Sequence, residues 1–158
     1  MNKKILLVVI GVILLAGLTW KLSGSLFAPG SKVIPNYPET NLTINGQPMV
    51  LELATTPEER EQGLSGRPSL ASDRGVLFVF NQPGRYPFWM KDMSFPLDIL
   101  WINQGKIVDL VKDFPAPKPG EWPATFTPAF EADRVLEINA GLSNRLNLKV
   151  GSLIPDLP

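Results

Sequence analysis

The hydrophobic pattern divides the chain into three unequal parts. Residues 5–20 form a run of 16 positions without a charge, behind Lys3 and Lys4 and closed by Lys21. That length lies at the short edge of a spanning helix and near the long edge of a signal-peptide core. A buried core helix could show the same run, but the N-terminal position and lysine flanks favour a membrane segment. Ser23-Gly24-Ser25 is a passable small-residue cleavage site and no A-x-A pattern appears, so an uncleaved anchor is expected; cleavage would give a secreted protein. The preceding lysines place the N-terminus inside and the rest of the chain outside, as a single-pass cell-membrane protein. Residues 1–27 are therefore read as a signal anchor or signal peptide. Residues 28–40, with Pro29, Gly30, Pro35 and Pro38, read as a tether. Residues 41–158 form one domain.

Within that domain the apolar spacing is mostly that of strands. Segments 42–44 and 49–54 flank Asn45-Gly46, a strong hairpin signal. Met49, Leu51 and Leu53 share one face of the second strand; Val50, Glu52 and Ala54 share the other. Thr56-Pro57-Glu58-Glu59 opens a short helix, with Thr56 as cap, Pro57 at the first helical position and Glu59 closing a capping box. Gly63 ends it, and Arg60 falls in its C-terminal half, where a cation is favoured. Residues 64–74 read as polar loop. Segment 75–80 (GVLFVF) is a continuous apolar strand expected to be buried on both faces. Residues 81–85 turn the chain, and 86–91 and 97–102 are the next two strands, expected to pair as a hairpin about 92–96. Asn103-Gln104-Gly105 makes another turn, and 106–111 pairs back. Residues 114–128 carry five prolines and form a long loop. A strand at 134–139, a helical turn within 141–147 and a short strand at 153–154 complete the chain. The pattern predicts a mainly β (α+β) fold. It would be a small barrel- or sandwich-like antiparallel domain with one or two short helices, preceded by an N-terminal membrane helix.

Composition removes most familiar chemistry. The 15 basic and 15 acidic residues balance, so no basic surplus points to nucleic acid. Cysteine and histidine are both absent. That excludes disulfides, thiolate sites, a Cys nucleophile, the usual general base and zinc ligand, and any Ser-His-acid triad. No spaced ligand cluster suggests a metal, and no cofactor is expected.

The polar residues left are few. If Lys91 pairs opposite Asp98, Trp89 pairs opposite Leu100, and all four share a face. The functional reading is a polar spot on an aromatic surface that orients a small ligand. The structural reading is a cross-strand ion pair beside a packed Trp. A one-residue slip would separate the group. Arg60, Arg67, Glu52 and Glu137 are the other candidates; Glu137 sits in a strand that otherwise reads as buried and needs a partner, for which Arg60 is a geometric possibility. Trp101 and Phe88 read as core. Trp122, in the proline-rich loop, either packs that loop down or meets a partner. These residues support three functions. One is an extracytoplasmic module binding a small polar or saccharide-like ligand through Trp89, Lys91 and Asp98. Another is an accessory domain for an envelope protein, held by exposed aromatics. The third is a carboxylate-dependent hydrolase of a glycan-like substrate, with Asp98 and Glu137 as acid and base.

Four ordered blocks carry a resemblance. They are Thr56-Pro57-Glu58-Glu59-Arg60 with Gly63-Leu64 and Arg67; Gly75-Val76-Leu77-Phe78-Val79-Phe80; Phe88-Trp89-Met90-Lys91 with Pro96-Leu97-Asp98-Ile99; and Val135-Leu136-Glu137 with Ala140-Gly141 and Val150-Gly151. From about residue 51 to residue 154 the chain resembles the domain of unknown function 192 family. The resemblance implies a compact, mainly β fold, often behind a signal sequence or anchor, and no established reaction. Ser65, Asn103 and Ser152 stand where the family often has Met, Asp and Asp, so a cation-binding role for those acids would not carry over.

Overall fold

The computed structural model describes residues 36–158. The predicted N-terminal membrane segment and most of the tether lie outside the described residues. Among the described residues, no helix is long and apolar enough to cross a membrane.

Strands β1 (Glu39–Ile44) and β2 (Gln47–Ala54) form the expected hairpin, with Leu42 opposite Met49. Asn45 (φ 47°) and Gly46 (φ 86°) both take the left-handed conformation that a two-residue turn of this twist demands. Helix α1 (Pro57–Gln62) follows, with its capping box complete: Thr56 accepts from the Glu59 N–H at 3.2 Å, and Glu59 Oε2 accepts from the Thr56 N–H at 2.9 Å. Strand β3 (Arg74–Gly84) then runs parallel to β2, with Glu52 opposite Val76. Helix α1 and the loop after it supply the crossover that a parallel pair requires.

Next come β4 (Phe88–Trp89), β5 (Leu97–Asn103), β6 (Lys106–Phe114), β7 (Thr125–Phe126), β8 (Ala132–Asn139) and the single-turn α2 (Leu142–Arg145). Six strands form one sheet in the order β1-β2-β3-β8-β5-β6, and β4 pairs with β7 in a separate two-stranded ribbon. The fold is mainly β with short helices, as expected, but the sheet is mixed and open rather than an antiparallel barrel or sandwich. The apolar patterns explain the order. Val76, Leu77 and Phe78 of β3, Val135 and Leu136 of β8, and Leu97 to Ile102 of β5 are all buried, so these three strands take inner positions with neighbours on both edges. One apolar layer holds Val76, Phe78, Ile99, Trp101 and Val135, and the other holds Leu51, Leu77, Leu100, Leu136 and Ile138. The expected last strand reduces to a single bridge, Leu153 to Lys106.

The hairpin between 86–91 and 97–102 does not form. Strand β5 spends one edge on β6 and the other on β8, and β4 turns instead to β7 in the proline-rich segment. Met90 and Met93 plunge into the core between β4 and β5, so this stretch packs as a loop and cannot reverse as a tight turn.

Candidate functional site

The expected group of Trp89, Lys91, Asp98 and Leu100 is taken apart by this pairing. Trp89 lies opposite Thr125 and is 49% exposed, with Lys91 Nζ 5.0 Å from its ring centroid. Asp98 and Leu100 lie inside the six-stranded sheet, fully buried. Asp98 pairs opposite Ile138, whereas Glu137 pairs opposite Ile99, so the two carboxyls emerge on opposite faces of the sheet. They cannot flank one scissile bond, and the hydrolase built on them is excluded.

Asp98 has a structural task. Its Oδ1 accepts from the Asp113 N–H at 2.9 Å, and its Oδ2 accepts from the Ser143 N–H at 2.9 Å. The first bond holds the bulge in β6, where Lys112 and Asp113 together face the single residue Asp98. The second caps α2, whose own N-cap, Gly141, has no side chain to do so. Asp98→Asn should destabilise the fold by about 2–3 kcal/mol, because an amide cannot accept from two N–H donors on opposite oxygens. Urea unfolding of wild type and variant measures this, and equal midpoints would refute the capping role.

The other carboxylates converge on the opposite face. Glu39, Glu52, Val76, Glu137 and Ile99 form one row across the sheet. Arg67, from the loop after α1, lies over that row. Its Nη1 and Nη2 donate to Glu52 Oε1 and Oε2 at 2.9 and 2.5 Å, a two-pronged pair buried on both sides. Arg74 joins from the sheet edge, paired with Glu39 and 3.4 Å from Glu52. Burial would raise the Glu52 carboxyl, but the Arg67 hydrogen bonds and charge, with help from Arg74, outweigh it and hold the group below its usual range. Arg67 also stacks over Tyr37, whose hydroxyl donates to the Glu59 and Gly63 carbonyls.

Glu137 is the odd member. It is 5% exposed, and its Oε2 would stand 3.8 Å from a methyl group placed on Gly63. Burial pushes its carboxyl up to about 8, with only a partial counter-pull from the Arg67 charge. The Arg60–Glu137 link expected from the sequence is not made. Arg67 is the cation near Glu137, while Arg60 donates to the Thr55 and Val79 carbonyls.

Arg60 builds a different feature. Its Nη1 donates to the Thr55 carbonyl at 2.5 Å and to the Val79 carbonyl at 3.0 Å. The guanidinium then lies 5.2 Å from the Phe80 ring centroid. Phe80 is itself stacked on Tyr86, with centroids 3.6 Å apart and planes 9° from parallel. Gly84 makes room for this stack, since a Cβ there would stand 2.9 Å from the Tyr86 ring. The Tyr86 hydroxyl donates to the Gln82 carbonyl at 2.7 Å. Pro57, Arg60, Phe80, Asn81, Gln82 and Tyr86 line an open cleft of about 610 Å³. Sequence reasoning found Arg60 but missed its partners. Residues 81–85 read as a turn, and only the extension of β3 to Gly84 brings Tyr86 back beneath Phe80. Among the described residues no group of three or more acidic, His or Cys side chains could hold a metal ion.

Comparison with known proteins agrees with this architecture. No protein of curated function matches the chain. Two crystal structures are similar. One is a "putative transcription regulator" from Sinorhizobium meliloti 1021, 32% identical, covering 77% of this chain and 95% of its own, with a TM-score of 0.64. The other is a protein of unknown function from Novosphingobium aromaticivorans DSM 12444, 30% identical, covering 81% of this chain and 92% of its own, with a TM-score of 0.60. A family model described as an uncharacterised ACR matches residues 40–155, which take in every described strand but the first residue of β1, and by that match the chain belongs to the domain of unknown function 192 (DUF192) family.

Proposed function

We propose that this chain is a binding module for a small polar ligand, held at the outer side of a cell membrane by its N-terminal apolar segment, and that the cleft beneath Arg60 is its site. The observation that carries the reading is the set of groups in that cleft. A stacked Phe80–Tyr86 pair gives a flat apolar wall, the Arg60 guanidinium supplies a fixed positive charge, and the Asn81 and Gln82 amides can donate and accept. The Tyr86 ring, backed by Phe80, against the apolar face of a sugar, amides for its hydroxyls and a guanidinium for a carboxylate together suit a sugar acid. The apolar run at residues 5–20 behind Lys3 and Lys4 supports the membrane attachment and outward orientation.

The test is calorimetric titration of the full chain in detergent with glucuronate, galacturonate and N-acetylmuramate, each against its uncharged parent sugar. The acids should bind at least about tenfold more tightly than the parents, corresponding to about 1.4 kcal/mol. Gln82→Ala should weaken binding of acid and parent alike. Arg60→Lys should weaken chiefly the acids, because an ammonium lacks the planar fork. Titrations in which neither variant alters the affinity of any sugar would remove the cleft as the site. Protection of the domain from external protease on intact spheroplasts would remove the outward orientation.

A further inference from the structure

The two-stranded ribbon β4/β7 and the loop that leads into β7 present two tryptophans to solvent. Trp89 is 49% exposed and Trp122 is 95% exposed. Trp89 pairs with Thr125, and Trp122 lies three residues before Thr125. Their Cα atoms are therefore within about 16 Å of one another, given one strand spacing and three residues of extended chain. Trp122 does not pack the proline-rich loop down, as one reading of the sequence would have it. It is held outward on a built turn. Gly120 takes the left-handed conformation (φ 82°), the Glu121 N–H donates to the Lys118 carbonyl at 2.9 Å, and Pro119 and Pro123 stiffen either side. The ribbon beneath is anchored by the Met90 N–H, which donates to the Ala124 carbonyl at 3.0 Å. An exposed indole on a rigid support carries little ordering cost when it meets a partner.

We infer that Trp89 and Trp122 form a membrane-contacting edge that seats the domain on the lipid interface of the bilayer to which the chain is tied. This inference rests on the membrane attachment proposed above. Indole rings favour the boundary between hydrocarbon and water, where the ring is buried and the N–H stays wet. Lys91, lying over the Trp89 ring, has the long stem that lets an amine rise to the headgroups while its carbons stay in the apolar layer. The tether brings the surface to its partner. Only residues 21–35 separate the apolar run from the described domain, a span of at most about 50 Å when fully extended. A surface confined so close to a bilayer meets it at high effective concentration, so two tryptophans suffice where they would not for a free domain. The charges nearest the two tryptophans offset one another, since Asp92 follows Lys91 and Lys118 pairs with Glu121 at 3.9 Å. Contact should thus depend on the rings and not on anionic lipid, and should persist in high salt.

The test places the full chain in phosphatidylcholine nanodiscs with plain or acyl-brominated lipid, in a Trp20→Phe background that leaves Trp89, Trp101 and Trp122. Brominated lipid should quench part of the emission. Trp122→Phe should abolish most of that loss, Trp89→Phe a smaller part, and 0.5 M salt none of it. Trp101 is buried in the core and serves as the unquenched baseline. Equal emission in plain and brominated discs, with the chain still in the discs, would overturn the docking edge and leave the attachment standing. Failure of the chain to elute with the discs would overturn both. Quenching unaffected by Trp122→Phe and Trp89→Phe would also overturn it.

Discussion

Glu137→Gln should make the protein more stable than wild type at pH 9 while leaving the two alike near pH 4. The folded chain holds the Glu137 proton until about pH 8, because the carboxyl lies in the apolar layer and only the Arg67 charge draws it down. The unfolded chain releases that proton near the ordinary value of 4.5. Between those two pH values the unfolded state binds fewer protons than the folded one, so stability falls as pH rises, by up to about 1.4 kcal/mol for each pH step. Above pH 8 the loss is complete and, in order of magnitude, reaches about 5 kcal/mol. Glutamine keeps the shape and has no proton to lose. Glu52 works in the opposite sense: its lowered carboxyl adds stability above the unfolded value and loses it as pH falls through the folded one. Wild type should therefore be most stable in mildly acidic solution. Urea midpoints of the full chain in detergent at pH 4, 5, 7 and 9 test this. A wild-type profile that matches Glu137→Gln from pH 5 to 9 would show that Glu137 ionises normally.

Arg67→Ala should be the most damaging single change among the charged residues, at about 3–5 kcal/mol. Among the described residues it strands the buried Glu52 carboxylate with only the 3.4 Å contact to Arg74 and removes the one cation acting on Glu137. It also uncovers the Tyr37 ring, whose hydroxyl ties down the end of α1. Arg67→Lys should recover little, because one ammonium cannot make both bonds of the fork. Replacing both partners, as in Glu52→Leu with Arg67→Met, should restore most of the lost stability, since no charge is then left buried alone. The thermal midpoints of the four proteins decide the matter. A double variant no better than Arg67→Ala would mean that the pair serves packing under Tyr37 more than charge balance.

Both effects turn on residues that the sequence marks as unusual without saying why. A glutamate inside Val-Leu-Glu-Ile-Asn must find an answer to its burial, and the sequence pointed to Arg60 where the structure supplies Arg67. Register decides it: Glu52, Val76 and Glu137 align only because β2 and β3 run parallel and β8 lies antiparallel beside β3. Asp98 teaches the converse. Its place in a conspicuous block beside Lys91 suggests a site, yet its bonds are to the backbone of Asp113 and Ser143.

The local elements were legible because their causes are local. Asn45-Gly46 closes its hairpin, Thr56 to Glu59 caps its helix, and the apolar run 75–80 becomes a buried strand, each through residues adjacent in the chain. The four blocks likewise indicated the family from their order alone. Strand neighbours were not legible, since hydrophobic burial has no direction and any apolar strand edge can satisfy another. Competition among edges settled them. β5 took β8 and β6, β4 was left for β7, and with that choice Lys91 went to the surface and Asp98 to the interior. The Arg60 cleft depends on the same long-range choices, because Phe80 and Tyr86 stack only after the far end of β3 has found its place. Sequence by itself determined the first hairpin, the capped helix, the buried strands, the absent chemistries and the family; the tertiary structure alone decided which polar residues meet, because partner choice is a property of the whole sheet.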